Sequence, residues 1–379
     1  MTGKGRVLRV IAPVYWDCRH DNPYVPLLCS YLAQEEVEII PFTPRGVFKD
    51  DYDFWHVHWP ESMLSSRSLV RALYKAIGNL ALFVSARVRG KQIVWTVHNL
   101  RPHERLHPRL ELAYMQVFVR LVSATTHLTG AGRQLAFQVY PHLRKLPSFV
   151  VPHGHYRDVY FTRLSRSEAR EVLGVRADAR VVAHIGQIRG YKNVPLLISS
   201  FRASNDPRRV LLVVGQSKNI ELEQRVKEVA EGDSRIHLRL EFIPDSELAI
   251  ILRAADLVVL PYSDIHNSGS VILALSLGVP VLVPATAALQ ELRSRVGGEW
   301  VRTYLGEFTA EVLNEALLQP RPGHLTPNLE WCSWPVIARA TKQAYFAICK
   351  AIYGVGLYVD HLGVWNFLLN HSKDIINHF

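Results

Sequence analysis

The sequence predicts an α/β protein made of two doubly wound, Rossmann-like domains that face each other across a cleft, and three observations carry that expectation. Short apolar runs ending in polar, histidine- or glycine-bearing loops alternate with helix-patterned stretches, the order that parallel strands joined by crossover helices require. The chain has 379 residues, too many for one ordinary core and suited to two of roughly 150 to 200 each. Two strand–loop–helix units in the second half, at 180–203 and 257–284, place glycine, hydroxyl and basic residues where a helix amino terminus would meet an anion.

Composition narrows the class. A hydrophobic fraction of 48%, with 8 Trp and 15 Tyr, is ample for a folded enzyme, and 21% charged residues exclude long disordered tracts. The formal net charge of +10 implies an anionic partner, such as a nucleotide or a lipid surface. No nucleic-acid readout module is present, so nucleic acid is not expected as a partner. Cys18, Cys29, Cys332 and Cys349 are scattered without metal-ligand spacing and read as reduced, packed thiols of a cytoplasmic chain. The start, MTGKGRVLRVIAP, lacks a signal-peptide core, and no segment reads as a clean membrane span, so membrane attachment is expected to be peripheral.

In chain order, 6–12 (RVLRVIA) is a first strand that opens into PVYWDCRHDNPYVPLL. A loop after a first strand overlies the cleft of a doubly wound domain, which makes Asp17, His20, Asp21, Asn22 and Tyr24 cleft candidates. Its three prolines equally suit a rigid crossover. Residues 37–42 form a second strand and 53–58 (DFWHVH) a third. His56 and His58 share one face of it, and only the end reaches the cleft, so His58 and Glu61 are functional candidates and His56 a packing residue.

From Ser62 to Lys91 there are six basic residues and no acidic one. Leu69, Leu73, Ile77, Leu80 and Val84 recur at helical spacing, with Arg67, Arg71 and Lys75 roughly opposite. This is either a domain helix with a solvated basic face or a helix held near anionic lipid. The next strand, IVWTV, delivers His98, Asn99, His103 and Glu104 into one loop, a density of acid/base groups that packing does not require. A helix through 109–123, a short strand at 124–129 and a helix at 131–140 follow.

The run FVVPHGHYRDVY at 149–160 marks the crossing between domains, with His153, Gly154 and Tyr156 lining the cleft. Ser165 and Glu168 form a capping box that starts the next helix. The second domain opens with RVVAHI and then Gly186-Gln187-Ile188-Arg189-Gly190-Tyr191-Lys192-Asn193, a loop whose Arg189 and Lys192 supply charge that its glycines leave accessible. It lacks the Walker ending. In LVVLPYSDIHNSGSVILALSLGVPVLVP, a strand stops at Pro261 and a helix starts after Asn267, Ser268, Gly269 and Ser270. Its free N–H groups suit a phosphate, although Ser and Gly also serve as ordinary caps. The expected boundaries are 1–152, 153–330 and 331–379, the last containing a helix at 334–352 and an apolar, aromatic tail able to lie on a bilayer.

Taken together, HVHWPE, TVHNLRPHE, VPHGHYRD, HIGQIRGYKN and PYSDIHNSGSVILALSLGVPV resemble the bacterial exopolysaccharide glycosyltransferases of the GT-B fold, most closely the xanthan-type GDP-mannose:glycolipid β-mannosyltransferases. The resemblance runs from about Asn22 to the Trp334 region. It implies two facing domains, with a terminal helix that crosses back to the first. It implies transfer of a sugar, mannose favoured, from a nucleoside diphosphate sugar, GDP-mannose favoured, to a lipid-linked saccharide, with inversion; no Asp-any-Asp metal signature stands out, so neither a divalent ion nor another cofactor is expected. Lys192 falls on the usual donor-diphosphate lysine. Gln187 stands where an arginine is common, so Arg189 would supply the second charge. Leu273 stands where the wider retaining group has a glutamate, and leaves the ribose contact unassigned.

The donor set is then Gly186, Arg189, Tyr191, Lys192, His153, Gly154, Tyr156, Asn267, Ser268, Gly269 and Ser270. Asn22, Tyr24, His58, Asn99 and His103 stand on the acceptor side. An inverting transfer needs a base for the acceptor hydroxyl, sought among Glu104, His98, Glu61 and Asp17, with His98 alternatively orienting the sugar. The apolar tail and the basic helix, combined with the implied lipid-linked acceptor, place the enzyme peripherally on the cytoplasmic face of the inner membrane, against an anionic surface. Two other functions share these parts: a nucleotide-sugar epimerase, and a non-catalytic saccharide-binding subunit.

Overall fold

The computed structural model describes residues 7–13, 22–102, 106–323 and 326–353. Asp17, His103, Glu104 and the apolar tail lie outside them. The first domain has strands β1 (Leu8–Ala12), β2 (Val37–Pro41), β3 (Phe54–His58), β4 (Gln92–Val97), β5 (Ala124–His127) and β6 (Ser148–Val150). Its helices are α1 (Tyr24–Gln34), α2 (Pro44–Lys49), α3 (Leu69–Val88), α4 (Pro108–Leu121) and α5 (Gly130–Val139). A linking helix α6 (Arg166–Val172) begins with the Ser165/Glu168 capping box expected from sequence.

The second domain has strands β7 (Arg180–Ile185), β8 (Arg209–Val214), β9 (Ile236–Arg239), β10 (Leu257–Val259), β11 (Val281–Pro284) and β12 (Val301–Tyr304). Its helices are α7 (Val194–Arg202), α8 (Ile220–Ala230), α9 (Asp245–Ala254), α10 (Gly269–Ser276), α11 (Ala287–Val296) and α12 (Ala310–Leu318), followed by α13 (Trp334–Tyr353).

Each domain is one six-stranded parallel sheet, ordered β2-β1-β3-β4-β5-β6 in the first and β12-β11-β10-β7-β8-β9 in the second. Sheets buried on both faces explain the near-continuous apolar runs of Ile93–Val97 and Val210–Val214. Strand order reverses between β1 and β3 in one sheet and between β7 and β10 in the other. A doubly wound sheet binds ligands at such reversals, beyond the carboxyl ends of the strands. The loops that matter are therefore those after β1, β3, β7 and β10.

α13 returns to the first domain and packs on α1. Its Tyr345 ring stacks on Phe54 at 4.8 Å, and Trp334 reaches Tyr24 and Tyr31. One continuous core cluster runs from Val10, Tyr24 and Leu28 through Trp334 and Ile337 to Val271 and Val281, so the two lobes share buried apolar surface. Cys29, Cys332 and Cys349 are buried.

The sequence left the inward face of α3 open, and the structure settles it. On α3 the row Leu69, Leu73, Ile77 and Val84 is exposed, while Ala72, Ala76, Leu82, Phe83 and Ala86 are buried. The helix packs through small side chains that let its backbone approach closely, and Phe83 fills the gap against Trp55 at 4.5 Å and Phe118 at 4.9 Å. Among the described helices, α3 alone has the length and composition to cross a membrane, a property that sequence reading assigned to no segment.

Candidate active site

The candidate donor half is built by the loops after β7 and β10. Gly186 adopts φ +91°, open to glycine at little cost, and a Cβ there would lie 2.9 Å from Ser270 Oγ and 3.0 Å from Lys192 Nζ. The missing side chain is what leaves room between an ammonium and a helix amino terminus. Ser268 caps α10 by accepting from the Val271 N–H at 3.2 Å, and the Tyr262 hydroxyl meets the same Oγ at 2.9 Å. The cap coexists with the N–H groups of Gly269 and Ser270 at the first turn, so ordinary capping and anion binding are not exclusive here.

Lys192 is buried, with Nζ 5.9 Å from the Tyr262 ring centroid. It has no carboxylate partner among the described residues. Burial, helped by the neighbouring Arg189 charge, pulls its pKa down to about 7. A cation held without an anion is a cost that a bound diphosphate would remove. Gln187, standing in for arginine, accepts from Arg189 Nη2 at 2.6 Å and so orients the second charge. Tyr191 closes the loop, its ring 6.0 Å from that of Tyr262 and its carbonyl accepting from the Ser263 N–H at 2.8 Å. Leu273 is core.

The facing half is centred on Tyr24, a buried ring at the start of α1 in edge contact with His98 at 4.7 Å, His153 at 4.8 Å and His58 at 5.8 Å. Asn22 fixes that start by accepting from the Tyr24 N–H at 3.1 Å. His58 Nδ1 and His98 Nε2 are 3.0 Å apart, one donating and one accepting, so the pair is satisfied only when both are neutral or one is charged. Burial holds both well below the usual imidazole range. His56 is packed as expected, between the Tyr345 hydroxyl and Thr96 Oγ1, each at 2.6 Å.

Trp59 follows β3 with φ 48° and ψ 53°, a left-handed conformation rare for so large a residue, and stacks on His98 with ring centroids 4.3 Å apart. This turn sends Glu61 behind the loop after β4. Glu61 Oε1 accepts from Asn99 Nδ2 at 3.2 Å, and the side chain faces a cavity of about 10 Å³ with Leu64, Ala72 and Glu111. Burial raises its pKa to about 7. Glu61 therefore sits where it supports Asn99, and its carboxylate lines that small enclosure instead of the larger cavity at His58. That cavity, of about 270 Å³, is lined by Asn22, Val25, Phe42, Val57, His58 and Trp59 among others.

The halves meet through specific contacts. Asn267 Nδ2 donates to the His98 carbonyl at 3.0 Å, and the Glu291 carboxylate on α11 accepts from the Gly130 and Ala131 N–H groups at the start of α5. His153 Nε2 and the Tyr156 hydroxyl, 3.5 Å apart, would each stand 3.6 Å from a Cβ on Gly269, which ties the domain crossing to the donor helix. Gly154 is required because a Cβ would fall 2.5 Å from the Trp334 ring.

Three residues that sequence reading did not single out join this cleft: His127 at the end of β5, Arg133 on α5 and His266 before Asn267. His127 Nδ1, Arg133 Nε and His266 Nε2 are buried without partners, as are His58 Nε2 and Glu61 Oε2. A Cβ on Gly132 would be 3.2 Å from the His266 ring, which places His266 of the second domain against α5 of the first. The groups on His58, His127, Arg133 and His266 are ones that a polar ligand in the cleft would satisfy. His127 was findable, since it ends a strand as His58 does.

The family model described as glycosyl transferases group 1 matches residues 165–320, the lobe that holds the donor half. A GDP-mannose:glycolipid 4-β-D-mannosyltransferase of Xanthomonas campestris pv. campestris is 32% identical over 326 residues, covering 86% of this chain and 88% of its own. Two solved structures share the fold at 16% identity. WaaG, a glycosyltransferase involved in lipopolysaccharide biosynthesis, has a TM-score of 0.57 with 98% of this chain and 100% of its own covered. Anabaena Alr3699/HepE in complex with UDP and glucose has a TM-score of 0.56 with 91% and 98% covered. The chain thus belongs to the GT-B glycosyltransferases of group 1, in the family that contains the Xanthomonas mannosyltransferase.

Proposed function

We propose that the protein transfers mannose from GDP-mannose to a hydroxyl of a lipid-linked saccharide, in the assembly of an exopolysaccharide or capsule at the cytoplasmic face of the inner membrane. The observation that carries this reading is the unpaired, buried Lys192 beside Ser270 and the gap left by Gly186, a cationic enclosure at a sheet reversal that fits a diphosphate. The Xanthomonas relative, named for GDP-mannose and a glycolipid, supports the donor and acceptor classes.

In this reading the acceptor oxygen attacks the anomeric carbon from the face opposite the diphosphate, and the bond between that carbon and the diphosphate oxygen breaks. Lys192, Arg189 and the α10 N–H groups hold the charge that develops on the leaving group, so no metal is needed. A base on the acceptor side takes the hydroxyl proton. His98 and Glu104 rank first, Asp17 remains in the set, and Glu61 serves by holding Asn99. His58 fixes the His98 ring, and Tyr24 walls the site.

The test is to incubate the protein with GDP-mannose labelled in the sugar and with glycolipid extracted from membranes. Label should move to the organic phase as GDP is released. Epimerised nucleotide sugar formed without acceptor would replace this reading with an epimerase, and binding without turnover would leave a saccharide-binding subunit.

A further inference from the structure

Two buried imidazoles connect the cleft to the cavity of about 270 Å³. His98 lies at the cleft, its carbonyl accepting from Asn267 of the second domain, and His58 lines the cavity together with the polar side chains of Asn22 and Ser62. Nδ1 of His58 and Nε2 of His98 are 3.0 Å apart. His58 Nε2 is buried without a partner among the described residues. The Trp59 ring, stacked on His98 at 4.3 Å, and the Tyr24 ring, in edge contact with both imidazoles, brace the pair. His56 stacks on His58 at 4.4 Å, but both its nitrogens are committed, to Tyr345 and to Thr96, so it takes no part.

A hydrogen bond between two neutral imidazoles runs in one of two directions, and each direction fixes both tautomers. If His58 donates, both rings carry the proton on Nδ1, and the other nitrogen of His98 presents an N–H. If His98 donates, both carry it on Nε2. His98 Nδ1 is then a bare lone pair, able to accept a proton, and His58 presents an N–H at Nε2. The Nε2–H form is the one a neutral histidine side chain prefers in water, so the second direction asks neither ring to change tautomer. Its unpartnered N–H needs an accepting oxygen, and the adjoining cavity has the room and the polar groups to keep water there.

We infer that His98 and His58 form a proton relay with this direction: the acceptor hydroxyl gives its proton to His98 Nδ1, the Nε2 proton of His98 passes to His58 Nδ1, and the Nε2 proton of His58 leaves to water in the cavity. As the acceptor oxygen bonds to the anomeric carbon and the diphosphate departs, one proton enters the pair and one leaves. Neither ring is left charged, in a place where burial disfavours imidazolium. Loss of the Nδ1 proton of His98 to solvent after product release, with the reverse shift along the pair, resets it. The relay rests on the functional reading above; the direction of the hydrogen bond does not.

Nitrogen-15 NMR of the full chain with labelled histidine, its signals assigned with His58→Gln and His98→Gln, reads the tautomers directly. Both rings should carry the proton on Nε2 and none on Nδ1. Protons on Nδ1 of both rings would overturn the proposal. In the labelled-donor assay, His58→Gln should lower turnover at least about tenfold while GDP affinity and the thermal transition are kept, because an amide oxygen accepts from His98 Nε2–H but cannot pass a proton on. His58→Ala should regain turnover with added imidazole and not with 1-methylimidazole, which takes up a proton but has none to hand over. Wild-type turnover in His58→Gln, or equal rescue by the two bases, would reduce His58 to a packing residue and overturn the relay. A wild type that shows these tautomers yet moves no sugar would remove the functional reading and leave the hydrogen-bond direction standing.

Discussion

Lys192→Ala is expected to lower turnover by about 10²- to 10³-fold, the size of effect seen when one preorganised donor to a developing anion is removed. The same substitution should raise, or at least preserve, the stability of the empty protein. Lys192 is buried with a pKa near 7, so at neutral pH the folded chain holds a charge, or gives up a proton, that an unfolded lysine keeps without cost. Steady-state transfer and thermal unfolding of one preparation decide this. Lost activity with a raised or unchanged transition supports a donor-binding lysine, whereas joint loss of activity and stability would make Lys192 a structural residue.

Acid should unfold this protein well above the pH at which carboxylates alone would. Burial holds His56, His127 and His184 near a pKa of about 3 and His153 and His266 near about 4, with His58 and His98 also well below 6.5. Each is neutral when folded and takes a proton when unfolded below 6.5. In the window from 6.5 down to those values the unfolded state binds more protons, so stability is full above 6.5 and falls as pH drops. Each group forfeits roughly 1.4 kcal/mol per pH unit inside its window, and several together match a typical total of about 5–15 kcal/mol. Glu61 opposes this, because its raised pKa favours the folded state as pH falls from about 7 to 4.5. Tryptophan fluorescence against pH should show a steep transition between about 6 and 4.5. A signal that stays native to pH 4 would contradict the burial of these imidazoles.

The parallel sheets were legible because each strand announces its end: Pro261 after LVVL, His58 after FWHV, Gly186 after VVAHI. The meeting of Gly186, Lys192 and Ser270 was legible for the same reason, since they lie on two adjacent loops of one domain. The position of Glu61 was not legible, because nothing in WPE shows that Trp59 turns left-handed and brings the carboxylate against Asn99. The inward face of α3 was not legible, because an apolar row at helical spacing suits a core or a lipid surface equally, and it is the alanines that give the closest packing. His127 and His266 carried no sequence signal of their own, because one histidine on a short strand or in a polar loop looks like packing until the fold sets His266 against α5. No element was assigned between Pro284 and Trp334, although the run holds α11, β12 and α12.

Calorimetric titration of GDP, repeated in buffers of different ionisation enthalpy, tests the donor site most directly. A diphosphate beside Lys192 favours the charged amine, so binding above pH 7 should draw up a proton, and affinity should fall by up to about tenfold per pH unit from 7 toward 9. Lys192→Ala should abolish both the proton uptake and the slope. GDP binding that is independent of pH and of Lys192 would contradict the assignment of this loop to the donor diphosphate.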